Sequence, residues 1–280
     1  MNRKIFSRLL ASAILVLVAI SASAKSKDPV KVLAIGNSFS LDAVEQNLYE
    51  IGNAAGVPMI IGNLYIPGCS IDRHVENIKG DLPAYSYRKV GKDGVKRTTD
   101  DIRLSQVIND EKWDYISVQQ VSQDSGIIES YAQLGELISW IREKAPKAKI
   151  VLHQTWAYAK NATHEGFANY DRSQYAMYDA IMNASKTVAK EYGIKTVIPS
   201  GTAIQNARST NLGDNLTRDG FHLDHHLGQY IAAATWFEAL TGKPVVGNVY
   251  CPSGVTNLEL RIAQHAAHNA VKKPFKVTKQ

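Results

Sequence analysis

Ser38 stands in the run Gly36-Asn37-Ser38-Phe39-Ser40, directly after the apolar stretch VKVLAIG. A serine in a glycine-led turn between strand and helix keeps its hydroxyl exposed and its own N–H beside the positive helix N-terminus, which suits a nucleophile. The same placement serves an ordinary helix cap, a role that Ser38 or Ser40 could equally fill. Far along the chain, Arg218-Asp219-Gly220-Phe221-His222-Leu223-Asp224 sets a carboxylate three residues before an imidazole. On a turn, Asp219 can reach Nδ1 of His222 and fix the tautomer that leaves Nε2 free to accept a proton from a serine. Gly68, in Pro67-Gly68-Cys69-Ser70, follows a second apolar run, where a bare N–H can face an oxyanion. Together, Ser38, Gly68, Asp219 and His222 converge on acyl transfer.

The elements that must position these residues follow from hydrophobic patterning. Five short apolar runs read as strands, at 30–36, 59–66, 115–120, 149–154 and 196–200. Amphipathic or capped stretches at 41–56, 70–78, 100–110, 131–145, 175–192 and 226–240 read as helices, the last closed by Gly242. YSYRKV and VKRTT flank Gly91-Lys92-Asp93-Gly94 and predict a hairpin insertion near 84–98. A terminal helix near 257–271 is expected to pack on the outside. Strands alternating with helices predict an α/β/α sandwich of three layers around a mostly parallel sheet of five strands.

In such sheets ligands bind beyond the carboxyl ends of the strands, so the residues there are the site candidates. After the third strand come Gln119 to Asp124, and after the fourth His153-Gln154-Thr155-Trp156. Asn37, His74, His153, Gln154 and Trp156 are candidates for a substrate pocket. An aromatic beside carboxamides suits a sugar ring, although core packing is the better reading of Trp156 and His74 fits a solvated helix histidine equally well.

The chain has 280 residues, 45% hydrophobic and 21% charged, which fits one large globular domain spanning 25–280. Residues 1–24 combine a basic start, the apolar run LLASAILVLVAI and the small-residue pattern Ala22-Ser23-Ala24, and read as a secretory signal peptide. The expected location is therefore periplasmic or secreted, with a mature chain beginning at Lys25 and no stable membrane insertion. Net charge is +6 for the whole chain and +3 without the three basic residues of that segment, too weak for a nucleic-acid footprint. Cys69 and Cys251, the two cysteines, could pair in an oxidising compartment or remain free.

Other chemistries fit poorly. The turn at Gly36 lacks the pattern of a phosphate loop. Neighbouring His222, His225 and His226 form no HExxH motif, and His225 and His226 face different sides of the helix they open, so no metal is expected. Paired carboxylates for glycoside cleavage are not identifiable.

GNSFS, PGCS, a polar block after the third strand, and DGFHLD in that order resemble the SGNH (GDSL-like) hydrolase superfamily, and more closely a secreted bacterial group within it defined only as a domain of unknown function. The resemblance covers about residues 31–242. It implies a flavodoxin-like sheet, Ser38 as nucleophile, His222 as general base, Asp219 as its orienting acid, Gly68 and Ser38 N–H groups in the oxyanion hole, and no cofactor. The chain has Asn37 where the superfamily usually has Asp, and no Gly-x-Asn-Asp in the third block. Gln120, at the strand end, is the favoured carboxamide to complete the hole, with Gln123, which aligns with the superfamily's asparagine, the alternative.

The expected activity is that of a serine esterase removing small acyl groups, acetyl first among them, from a small-molecule or oligosaccharide ester. A lipid-chain esterase or thioesterase would use the same chemistry in another pocket. A catalytically silent glycan-binding module that keeps the fold is the alternative from a different class.

Overall fold

The computed structural model describes residues 28–278. The predicted signal peptide lies outside the described residues. The sheet has seven strands: β1 (Val30–Gly36), β2 (Met59–Tyr65), β3 (Tyr85–Val90), β4 (Lys96–Ile102), β5 (Tyr115–Val118), β6 (Lys149–His153) and β7 (Thr196–Ile198). Their order is β4-β3-β2-β1-β5-β6-β7. The five strands expected from the sequence form the parallel part, and the difference in number comes from β3 and β4, which pair antiparallel and extend the sheet beyond β2. This hairpin's polar outer strand carries no apolar alternation, so its membership of the sheet was invisible in the pattern.

The nine helices of the described residues are α1 (Ser38–Val44), α2 (Leu48–Ala54), α3 (Ile71–Lys79), α4 (Leu104–Val107), α5 (Leu134–Lys144), α6 (Gln174–Glu191), α7 (Ser200–Arg208), α8 (Leu227–Thr241) and α9 (Asn257–Lys272). Successive residues of β1 supply the two sides of the sheet alternately. Val32 and Ala34 enter one core cluster, with residues of α1, α2, α7, α8 and α9, while Leu33 and Ile35 enter the other, with residues of α3, α4 and α5. α9 packs over α7 and α8.

Two helical expectations change. The helix expected over 41–56 starts at Ser38 and divides after Val44 into α1 and α2. The one expected over 100–110 is confined to Leu104–Val107, because β4 runs to Ile102. α7 had no sequence signal: every residue from Ser200 to Arg208 is buried, so no solvent-facing stripe marks it.

β1 lies centrally, with β2 on one side and β5 on the other. The chain winds outward from β1 in one direction through β2 and then crosses to start again at β5. This reversal makes the β1/β5 junction a topological switch point, where the loops after two adjacent strands diverge and leave a crevice.

Candidate active site

β1 delivers its last residue, Gly36, into a corner that has no room for a side chain: a Cβ there would lie 2.6 Å from Ser40 Oγ. Asn37 then caps α1, its Oδ1 accepting the Phe39 N–H at 3.0 Å, and Ser38 is the first residue of the helix. The Asn37 side chain does more than cap. Its Oδ1 also accepts from Gln119 Nε2 at 2.8 Å, and its Nδ2 donates to the carbonyl of Cys69 at 2.9 Å. The turn bearing Ser38 is thereby tied to the turn bearing Gly68.

Gly68 is exposed and has φ of +57°, a conformation that favours glycine. Among the described residues, neither the Ser38 nor the Gly68 N–H donates to a protein acceptor. Two backbone donors at adjacent turns are therefore available to a ligand.

The loop from Leu216 to Asp224 approaches this corner from the other side. Thr217 and Leu223 form an isolated bridge, the Arg218 N–H donates to the His222 carbonyl at 2.9 Å, and the Asp224 N–H donates to Leu216 at 3.0 Å. At its tip, Gly220 has φ of +92° and lies so close to Ala162 that a Cβ would come within 2.9 Å of the Ala162 Cα. Asp219 Oδ1 accepts the N–H groups of Phe221 and His222, at 3.1 and 2.7 Å. Its Oδ2 is 2.6 Å from His222 Nδ1, and His222 Nε2 is 2.8 Å from Ser38 Oγ. Partial burial works against ionisation of Asp219, but hydrogen bonds from the His222 side chain and from two backbone N–H groups prevail and hold its carboxyl below the usual range. Since an ionised carboxylate can only accept, the proton of the His222–Asp219 contact sits on Nδ1, leaving Nε2 to accept from Ser38.

The third strand end does not work as expected. Gln120, favoured as an oxyanion donor, is buried, and both ends of its carboxamide are bonded within the protein. Its Oε1 accepts from the Ile71 and Val121 N–H groups at 3.0 and 2.8 Å, and its Nε2 donates to the Ser130 carbonyl at 2.5 Å. Gln120 thus ties the first residue of α3 to the loop after β5. Gln123 is half-buried, lies against Gly166, and makes no side-chain hydrogen bond among the described residues. Of the two, its amide is the one still available.

The pocket candidates are likewise corrected: Asn37, His74, His153, Gln154 and Trp156 are all buried, at 2% exposure or less. A strand end places a residue near the crevice but leaves open whether its side chain points outward or into the layer beneath. His153 Nδ1 faces Gln119 Oε1 at 2.8 Å and its Nε2 faces Ser200 Oγ at 3.1 Å, so a neutral ring braces the Gln119–Asn37 contact from below. Burial pushes its pKa down to about 3. His74 also lies in the core, stacked on Tyr85, with Nδ1 3.6 Å from Cys69 Sγ, and burial lowers it to about 3. Gln154 accepts from the Thr202 N–H and hydroxyl and donates to the Pro274 carbonyl. Trp156 stacks on Phe39 at 4.3 Å and donates to the Phe221 carbonyl at 2.7 Å, holding the histidine loop from beneath.

Residues that escaped the sequence reading form the visible wall of the site. The Phe221 ring lies 4.2 Å from the His222 ring, 4.9 Å from His164 and 5.6 Å from Tyr158. Phe221 and His164 are half-buried, so they present aromatic surface beside the imidazole. Phe221 sits inside the DGFHLD run and was legible in principle, whereas the segment carrying His164 has no periodic signal. His225 and His226 contact Gln229 and the Ser253 carbonyl, respectively. Among the described residues, no group of three or more His, Cys, Asp or Glu side chains is arranged to hold a metal ion. Both cysteines are free thiols, Cys69 buried and Cys251 exposed.

This fold, a mostly parallel sheet with helices on both faces, is similar to that of solved structures of the SGNH hydrolase type. A candidate SGNH hydrolase from Slackia heliotrinireducens superposes with a TM-score of 0.52 at 17% identity, over 76% of this chain and 100% of that one. An acetyl-xylooligosaccharide esterase from Geobacillus Stearmophilus does so with a TM-score of 0.50 at 16% identity, over 77% and 96%. These likenesses concern the fold. Within it, the chain belongs to the DUF4886 family, a domain of unknown function matched over residues 31–270. The crystal structure of a DUF4886 protein from Bacteroides uniformis is similar at 56% identity and a TM-score of 0.89, covering 90% of this chain and 98% of that one. No curated protein matches the chain.

Proposed function

We propose that the protein is a serine esterase that removes short acyl groups, acetyl first among them, from carbohydrate. The observation that carries this reading is the continuous line Ser38 Oγ, His222 Nε2, His222 Nδ1, Asp219 Oδ2, with contacts of 2.8 and 2.6 Å at its two ends. Ser38 Oγ attacks the ester carbonyl carbon as its proton passes to Nε2 of His222. The carbonyl oxygen becomes an oxyanion held by the N–H groups of Ser38 and Gly68, with the Gln123 carboxamide as the third donor. His222 then gives the proton to the departing alcohol oxygen, leaving an acyl-Ser38 ester. A water molecule, deprotonated by the same imidazole, attacks that ester, and the acid is released as Ser38 regains its proton. Asp219 stays ionised throughout, orienting the ring and balancing the imidazolium. No cofactor enters the scheme.

The carbohydrate assignment rests on the half-buried Phe221 and His164 faces beside the base, suited to the apolar side of a sugar ring, and on the fold shared with an acetyl-xylooligosaccharide esterase. Residues 1–24 support action outside the cytoplasm. The test is hydrolysis of p-nitrophenyl acetate against p-nitrophenyl decanoate by the mature chain, together with acetate release from acetylated oligosaccharides. Turnover of the short ester and of the sugar ester is expected. Preference for decanoate would replace this reading with a lipid esterase, and turnover of neither would leave a binding module.

A further inference from the structure

The loop carrying Asp219 and His222 is gripped at both ends by a single carboxylate that touches neither of them. Asp42 lies on α1 four residues after Ser38, one helical turn along the same face. Its side chain is fully buried. Oδ1 accepts from Arg218 Nη1 at 3.0 Å and from Gln229 Nε2 at 2.8 Å. Oδ2 accepts from the Leu223 N–H at 2.8 Å and from Arg218 Nη1 at 3.1 Å. Arg218 immediately precedes Asp219, and Leu223 immediately follows His222. The same Arg218 Nη1 also donates to the Leu223 carbonyl, closing the base of the loop. Gln229 brings α8 into the junction.

A buried carboxylate is a poor way to gain stability. Its desolvation raises Asp42 above the ordinary carboxylate range, and Arg218, Gln229 and the Leu223 N–H only oppose that shift. What directed hydrogen bonds from three donor groups supply that an apolar contact cannot is a fixed position. Ser38 and Asp42 share one rigid helix, so the carboxylate refers the base directly to the nucleophile. A displacement of about 1 Å between reacting groups can cost about 10²-fold in rate.

We infer that Asp42 is a positioning residue that, through Arg218 and the Leu223 N–H, sets the distance and angle at which His222 meets Ser38. This deepens the esterase reading and rests on it.

The test compares Asp42→Asn and Asp42→Ala with wild type in steady-state hydrolysis of p-nitrophenyl acetate and in the rate of labelling by a serine-directed fluorophosphonate. The carboxamide keeps an acceptor for the Leu223 N–H but loses the ion pair, so Asp42→Asn should lower kcat about tenfold and Asp42→Ala about 10²-fold, with KM within about threefold of wild type. Labelling should slow in the same proportion. On a His222→Ala background Asp42→Ala should cause no further loss, since no base remains to be positioned.

A purely structural role would lower the melting temperature while leaving kcat per folded molecule intact. Unchanged kcat in folded Asp42→Ala, or an equal further loss in the His222→Ala background, would overturn the inference. Should Asp42→Ala fail to fold, wild-type kcat in Asp42→Asn would overturn it alone. A wild-type protein that neither hydrolyses nor takes the label would overturn the esterase reading instead, and the positioning role with it.

Discussion

The site is assembled from two regions of opposite construction. The corner of the proposed nucleophile, residues 36–38 with 67–69, grows out of the ends of β1 and β2 and is braced by a buried chain running Asn37, Gln119, His153, Ser200. The base loop, residues 216–224, belongs to no extended sheet. It is shaped by its own backbone bonds, by Gly220 against Ala162 and by Trp156 beneath it, and it docks on the corner through side chains. The corner is held by the strand ends it follows and by the buried chain beneath it, and the loop is placed because specific polar groups hold it. Disturbances of the corner should therefore appear mostly in stability and in the oxyanion hole, and disturbances of the loop mostly in proton transfer.

The largest effects break the comparison at its seam. Ser38→Ala and His222→Ala should each lower kcat on p-nitrophenyl acetate by a similar factor, on the order of 10⁶, while the double variant loses little more. Asp219→Asn should lose less, on the order of 10⁴, because the carboxamide can hold the wrong tautomer and cannot balance the imidazolium. Additive losses in the double variant would mean that corner and loop do not act as one unit. The Asp219 carboxyl is held below its usual range, so it stays ionised and adds no step of its own near neutral pH. The acid limb of kcat/KM should therefore rise through a single ionisation.

Asn37→Ala sharpens the comparison within the corner. It removes the α1 cap and the bridge to Cys69, so about 1 kcal/mol of stability should go with the cap alone. Loosening the two backbone donors should also lower kcat by about 10²-fold. Thermal unfolding and kinetics on the same sample separate the two losses.

The buried histidines should make the core sensitive to acid. His153 and His74 have pKa values near 3 in the folded protein against about 6.5 when unfolded, so between those values the unfolded chain binds more protons. Stability is fully present above about pH 6.5 and falls as pH drops toward 3, by up to about 1.4 kcal/mol per pH unit for each histidine. Melting temperature measured over that window should fall steeply, and His153→Gln should flatten the slope.

The smallest effects belong to residues beside the seam. Ser40→Ala leaves Asn63 Oδ1 without its buried donor and should cost about 1–3 kcal/mol while retaining substantial activity. His225→Ala and His226→Ala should change kcat by less than about threefold. A variant of either as inactive as His222→Ala would place the base elsewhere on the loop.

Much of this arrangement is written locally. Gly36-Asn37-Ser38 after an apolar run and Asp219 three residues before His222 are short-range facts, because a turn's chemistry depends on residues a few positions apart. The five parallel strands are equally legible, since burial on both faces leaves continuous apolar runs. What the sequence alone could not decide is orientation and partnership. Gln120 and Gln123 are both carboxamides near one strand end, and only packing shows that Gln120 is consumed by Ile71, Val121 and Ser130. His153 and Trp156 follow a strand end at the ligand-binding side of the sheet, yet their side chains turn into the layer below. Asp42 and Arg218 are 176 positions apart and carry no pattern that relates them. Local spacing determines which groups can cooperate because it acts through covalent reach. Which of them meet, and which are spent on holding the others, is decided by long-range burial, where each polar group must find a partner that the tertiary fold alone can bring.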